Sequence, residues 1–433
     1  MTAAPSTITA PPPAPVRRRH RGPLSTATII SIFVVAGAAA YIFWQLRPDL
    51  LLANTTPAGG DMGAHVWGPN FLKHHLLPHG RITGWAPDWY AGFPFLTFYF
   101  PLPSLLIALL SYLLPYGIAF KLVSVSGLIA LPVAAYLFGR LSGMRFPGPA
   151  LLAVATVPFV FDRGWTIYGG NVASTLAGEF SFTISLALGL VFLGVLARGL
   201  DTGRHRAVAA VLLAATALSH ILPTIFVVVG AVVLFLQGPI LGARGRARLK
   251  YLATVLPVGG MVAGFWAVPI LFRTPYATDM GWEKLTQYSE NLFDTPHTQP
   301  WVLALAAAGA IASIILVRRT GITLVALALT FAAVFRFEPQ ARLWNAGFLP
   351  FWYLCLYLLA AIAVAELAGA IGTLVAKDPD KPWSGPSFVL PVLALLAAVV
   401  ATGIPLRNQA AANHQLGMWR FLPLPKTKDV SFI

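Results

Sequence analysis

The chain has 433 residues, of which 57% are hydrophobic and 10% charged, and its formal net charge is +15. Soluble domains carry about 25% charged residues, and a mean hydropathy of +0.73 leaves more apolar side chains than one core can hide. A soluble enzyme is therefore excluded. Backbone in lipid must satisfy its own polar groups, so the chain reads as all-α, a polytopic transmembrane helical bundle. The basic excess sits in short clusters between apolar runs, the pattern of cytoplasmic loops, which removes nucleic acid as a partner. The single cysteine, Cys355, lies in an apolar run and leaves neither a disulfide framework nor a cysteine metal site.

Residues 1–24, rich in Pro, Ala and Thr and ending in Arg17, Arg18, Arg19, His20 and Arg21, read as a disordered cytoplasmic tail. The run 25–46 continues through Tyr41, Phe43 and Trp44, too long for a secretory signal core, and is an uncleaved anchor. Further spans of about 20 apolar residues are predicted at 117–139, 147–161, 180–198, 207–222, 223–240, 251–272, 301–317, 322–335, 345–370 and 388–405. That makes eleven, with the N-terminus inside and the C-terminus outside. The run 93–114 also has the hydropathy of a span. If it crossed, Arg140 and Arg145, Arg198, Arg204 and Arg206, Arg244, Arg246, Arg248 and Lys250, and Arg318 and Arg319 would all fall outside, against the positive-inside bias. Kept on the outer face as an interfacial or re-entrant helix broken by Pro94, Pro101 and Pro103, it places every cluster inside. The segment SHILPT (219–224) is a tight hairpin whose Pro223 opens the second helix. The transmembrane domain is 25–405, its first outer loop 47–116, and 406–433 an extracytoplasmic tail that reads as the start of a soluble domain.

In this topology Asp49, Asp61, Asp88, Asp162, Glu179, Asp279, Glu283, Glu290, Asp294, Glu338 and Asp429 lie outside, and only Asp201, Asp378 and Asp380 inside. Acidic residues do not set topology, so this bias points to polar chemistry on the outer face. Asp61 and His65 stand i and i+4 and share a helix face. A carboxylate with an imidazole can act as general base, while an aspartate that merely caps a helix fits the same spacing. His74, His75 and His79 leave room for a divalent cation, but no fixed zinc spacing appears and no metal ligands are assigned. Lys73 and Arg81 are either phosphate contacts or interfacial anchors. Trp85, Trp89 and Tyr90 form a sugar or lipid platform or an aromatic belt, with Asp88 among them as a hydroxyl acceptor or a turn residue. Asp162 and Glu179 bound the second outer loop, where Glu179 could equally serve a helix N-terminus. Arg336 and Arg342 sit at outer helix ends as snorkelling anchors or a phosphate clamp.

The early loop aspartate, the proline- and aromatic-rich start of an outer-face helix, and the strings GDMGAH, PDWYAGFPFLTFYFPLPSLL, GGNVASTLAGEF and LSHILP resemble the GT-C glycosyltransferase superfamily. Within it they are similar to the prokaryotic membrane proteins described as YfhO-like or 6-pyruvoyl-tetrahydropterin-synthase-related. The resemblance covers most of 25–370. It implies transfer of a sugar from a polyprenyl-phosphate donor to an extracytoplasmic glycan or lipid acceptor. The first-loop acidic catalyst maps onto Asp61. The second acidic position maps onto Asp162, with Glu179 as rival, and the donor phosphate clamp onto Arg342, with Arg336 or Lys73 assisting. Asp61 is followed by Met62 and Asp162 by Arg163, so the paired acidic motif that would favour metal-dependent chemistry is missing.

Two rivals remain. A flippase or transporter for a lipid-linked glycan should carry charged groups mid-span, and only Glu366 and His220 qualify. A non-catalytic subunit of an envelope assembly would keep the fold without needing Asp61. The excess of Arg over Lys with abundant Ala, Gly and Pro suggests a GC-rich bacterium, and hence the plasma membrane with the active site facing outside.

Overall fold

The computed structural model describes residues 25–277, 284–293, 299–338, 343–375, 388–415 and 420–423. The tail 1–24 and Arg342 lie outside the described residues, as do Asp279, Glu283, Asp294, Asp378, Asp380 and Asp429. Among the described residues, eleven helices fall on the eleven predicted runs. They are α1 (Thr26–Gln45), α4 (Tyr116–Leu141), α5 (Gly148–Val160), α6 (Phe180–Thr202), α7 (Arg206–Ser219), α8 (Ile221–Leu236), α9 (Gly242–Arg273), α10 (Pro300–Ile315), α11 (Arg319–Phe337), α12 (Leu349–Val375) and α13 (Val389–Gln415). Helices α1, α4, α6, α9, α11 and α12 are long and apolar enough to cross a membrane, and the others are shorter.

Between α1 and α4 the chain forms α2 (Met62–Phe71) and α3 (Pro101–Leu110). At 10 residues, α3 spans roughly 15 Å, half of a bilayer's hydrocarbon thickness. The run 93–114 is thus not one helix. Phe93–Phe95 (β3) pairs antiparallel with Gly84–Ala86 (β2), Leu96 adopts φ +54°, and the helix begins only after the extended Phe100. Pro101 occupies the first helical position, where a missing N–H costs nothing. This subdomain has a small core of its own around Trp67, Phe71, Leu72, Leu76 and Phe95.

A buried lysine fastens that loop to the bundle. Lys121, fully buried on α4, donates to the Leu50 carbonyl, to the Ala53 carbonyl at 2.7 Å and to Thr55 Oγ1 at 3.0 Å. Thr55–Ala58 (β1) in turn pairs antiparallel with Arg420–Pro423 (β4) beyond α13, so the far end of the chain returns to the first loop. The helix α13 runs to Gln415, ten residues beyond the predicted limit.

The basic clusters gather at the opposite end of the bundle. There Asp201 at the end of α6 accepts from Arg319 at 2.6 Å and Arg248 at 3.4 Å, and Arg318 pairs with Glu366 at 2.8 Å. Glu366 is therefore an end-of-bundle ion-pair partner rather than a charge in a path. The α7–α8 pair is a hairpin as predicted, but α8 starts at Ile221 with His220 as its N-cap, and Pro223 falls in its first turn.

Candidate active site

Two helices begin at one place. Asp61 heads α2 and Glu179 heads α6, and neither carboxylate caps its own helix. A capping side chain needs an extended backbone to turn back onto the helix N–H groups, whereas Asp61 (φ −84°, ψ 3°) and Glu179 (φ −80°, ψ 32°) are not extended. Asp61 is exposed and Glu179 half-buried. The Asp61 N–H donates to the Ala177 carbonyl at 2.8 Å. Residues 175–179 form a single π-helical turn broken at Gly178, whose φ of +129° is open only to glycine. A Cβ on Gly178 would stand 3.0 Å from Asp61 Cβ and 3.4 Å from His65 Nε2. The two helix starts are in contact through that missing side chain.

His65 lies one turn along from Asp61, half-buried, its ring 5.0 Å from Tyr99 and 5.1 Å from Phe180 between centroids. Its Nε2 is 3.5 Å from the Tyr99 hydroxyl, which lies 3.1 Å from Ser181 Oγ. Burial lowers the His65 pKa, against the raising pull of the Glu179 and Asp61 carboxylates, so the imidazole is neutral and can accept a proton. Burial, with Glu179 nearby, raises the Tyr99 phenol and keeps it protonated. On the other side, His220 Nδ1 accepts from the Leu222 N–H at 3.2 Å, and its Nε2 faces Glu179 Oε2 at 3.6 Å. The His220 ring packs on Phe100 at 4.4 Å and Phe182 at 5.3 Å. Asp61, His65, Tyr99, Glu179 and His220 thus form one polar cluster, at the end of the bundle away from the arginines.

The other candidates are placed elsewhere. Asp162 is buried. Its Oδ1 accepts from the Gly164 N–H at 2.9 Å and its Oδ2 from the Tyr357 hydroxyl at 2.9 Å. Asn171 donates to the carbonyls of Asp162 and Trp165, each at 2.8 Å, and Trp165 stacks on Tyr353. These contacts make Asp162 the knot of the second loop, and its pKa is raised to about 6 by burial, against the N–H and Tyr357 hydrogen bonds. Asp88 is exposed in the turn between β2 and β3. Lys73 donates to the Ser111 carbonyl at 2.9 Å and lies over the Tyr112 ring, fastening α2 to the end of α3. Arg336 lies 4.3 Å over the Tyr288 ring. Trp89 stacks on Trp67 and carries Tyr90 edge-on. Exposed Trp85 lines a cleft of about 520 Å³ with Phe98, Arg273 and Tyr276. His74 and His75 are exposed, and His75 stacks on Phe71. Among the described residues no three His, Cys, Asp or Glu side chains are placed to hold a metal ion.

Tyr99 and Ser181 were not picked out from the sequence. Tyr99 lies in the aromatic string 84–101, where it looks like a belt residue. Nothing local distinguishes Ser181.

With this arrangement, a membrane-protein family described as the 6-pyruvoyl-tetrahydropterin synthase related domain matches residues 96–367. The chain belongs to this family. The matched span of the pterin-synthase-related domain runs from the strained Leu96 to the Glu366 ion pair, and takes in Tyr99, Glu179 and His220 but not Asp61. Among solved structures, the arabinofuranosyltransferase AftD from Mycobacteria superposes with a TM-score of 0.57 at 18% identity, covering 88% of this chain and 27% of that one. ArnT from Cupriavidus metallidurans, in the apo state, superposes with a TM-score of 0.52 at 15% identity, covering 91% and 73%. Both are GT-C glycosyltransferases, and at these identities the likeness shows a shared fold. The chain spans about a quarter of AftD's length. A search of curated proteins finds no match.

Proposed function

We propose that this family member is a membrane glycosyltransferase that moves a sugar from a polyprenyl-phosphate donor to a hydroxyl of an envelope glycan or lipid, on the outer face of a bacterial plasma membrane. The observation that carries the reading is the meeting of Asp61–His65 with Glu179–His220 around Tyr99 in a bundle of GT-C fold. Asp61, exposed and without a capping role, takes the proton of the acceptor hydroxyl as general base. That oxygen bonds to the anomeric carbon as the carbon–oxygen bond to phosphate breaks, and the electron pair leaves on polyprenyl phosphate. Neutral His65 orients the carboxylate without competing for its charge. Glu179 and His220 hold the sugar's hydroxyls from the opposite side. The N-termini of α2 and α6 supply partial positive charge where phosphate charge develops.

The flippase reading loses its support, because His220 sits at the hairpin apex beside Glu179 and Glu366 pairs with Arg318 at the basic end. Neither group marks a route through the bundle. The test is transfer of labelled sugar from a polyprenyl-phosphate donor in membranes carrying the full chain. Asp61→Asn should abolish transfer while leaving expression unchanged, and full activity in that variant would show that Asp61 is not the base.

A further inference from the structure

At the end opposite the active site, a cavity of about 630 Å³ opens between the α4–α5 loop, the start of α11 and the last turns of α12. Its polar lining is Ser142, Arg145, Arg318, Arg319, Thr320, Glu366 and Thr373. Glu366 is occupied by Arg318 through a two-point pairing at 2.8 and 3.0 Å. Arg319 gives one amino group to Asp201 at 2.6 Å, while its Nη2 is buried with no hydrogen-bond partner. The Ser142 hydroxyl is buried and unpartnered as well. Arg145 is exposed and enters no ion pair among the described residues. The helix α11 begins in the same cavity with no side-chain cap on its N-terminus, so its first N–H groups face the same space.

Among the described residues, Arg145, Arg318, Arg319 and Arg248 share only the Glu366 and Asp201 carboxylates, which leaves net positive charge at this end of the bundle. A phosphate group balances that excess, because planar guanidinium groups bind phosphate in two-point fashion. The cavity is far larger than one phosphate needs. Its other wall is apolar, formed by Ile362, Ala365 and Ala370 of α12, and exposed Leu367, Ile371 and Leu374 follow on that helix. A phosphate borne on an apolar body fits both walls.

We infer that this cavity is a phosphate-binding site whose natural occupant is the headgroup of an anionic phospholipid, seated between Arg145, Arg318 and Arg319. The site is separate from sugar transfer and stands whether or not that reading holds.

The experiment uses the purified full chain in detergent, with native mass spectrometry of bound lipid. Wild-type protein should retain dioleoylphosphatidylglycerol about tenfold better than dioleoylphosphatidylcholine, the worth of one or two charge-assisted hydrogen bonds. Arg145→Ala, a change at an exposed residue, should erase most of that preference. Arg318→Gln, which frees Glu366, should do so more completely. Displacement of phosphatidylglycerol by millimolar inorganic phosphate would support the site and assign it to a soluble phosphate, and failure to displace it would assign it to lipid. Equal retention of the two lipids, or a preference that survives both substitutions, would overturn the proposal.

Discussion

Replacing Asp162 with asparagine separates a structural acid from a catalytic one. The folded-state pKa is about 6 against a usual 3.8, raised by burial. A raised carboxyl pKa means that the unfolded chain gives up its proton first. Stability is then fully present below about pH 4 and is lost as pH climbs through 6. The gap between a usual 3.8 and about 6 makes the ionised form about 3 kcal/mol worse in the folded state, at about 1.4 kcal/mol for each tenfold in proton affinity. Asparagine keeps the acceptor for the Gly164 N–H but deprives the Tyr357 hydroxyl of its acceptor, a loss of about 1 kcal/mol. Asp162→Asn should therefore be about 2 kcal/mol more stable than wild type at pH 7.5, and the advantage should vanish by about pH 4. Thermal unfolding in detergent across that range reads the effect, with sugar transfer measured alongside and expected to hold. A variant that is less stable at pH 7.5, or equally stable but inactive, would refute the assignment of Asp162 to loop architecture.

Gly178→Ala forces a side chain into φ +129° and against Asp61, a strain of about 1–3 kcal/mol. Transfer should drop at least tenfold in protein that still elutes as a folded species, and unchanged transfer would show that the helix starts are not in contact. Tyr99→Phe removes the hydroxyl between His65 and Ser181 and should lower kcat about fivefold with little change in KM. Because burial lowers the His65 pKa, the imidazole should stay neutral as pH falls through about 6.5, with transfer lost only below that. The unfolded chain protonates there first, so stability should decline over the same acid range, and His65→Asn should remove that part of the decline. Glu179→Gln should raise KM for the donor, whereas loss of stability alone would make Glu179 a scaffold residue.

Much of the architecture was legible because lipid allows few solutions. The eleven predicted runs returned as helices, and in 93–114 the helix begins only at Pro101. The strand at Phe93–Phe95 was not legible, since its pairing with Gly84–Ala86 depends on a turn through positive-φ Tyr90, Ala91 and Gly92. Within the site, the i, i+4 spacing of Asp61 and His65 could be seen directly. Which of Asp162 and Glu179 lies beside Asp61 and His65 could not, because it rests on the φ of Gly178 and on Tyr357, distant in sequence, holding the Asp162 carboxylate. Lys73 looked like a phosphate contact, yet it is held by the Ser111 carbonyl and the Tyr112 ring. Tyr99, Ser181 and His220 come from separate segments, and only tertiary packing brings them to one place.

The account depends on the carboxylate cluster and the arginine clusters lying on opposite sides of the membrane, with the carboxylates outside. The only native cysteine, Cys355, is buried, so single cysteines report cleanly. Exposed Tyr90 and exposed Arg204 mark the two ends. In intact cells a membrane-impermeant thiol reagent should label Tyr90→Cys and reach Arg204→Cys only after the membrane is opened. Labelling of Arg204→Cys from outside, with Tyr90→Cys protected, would contradict the account at its base.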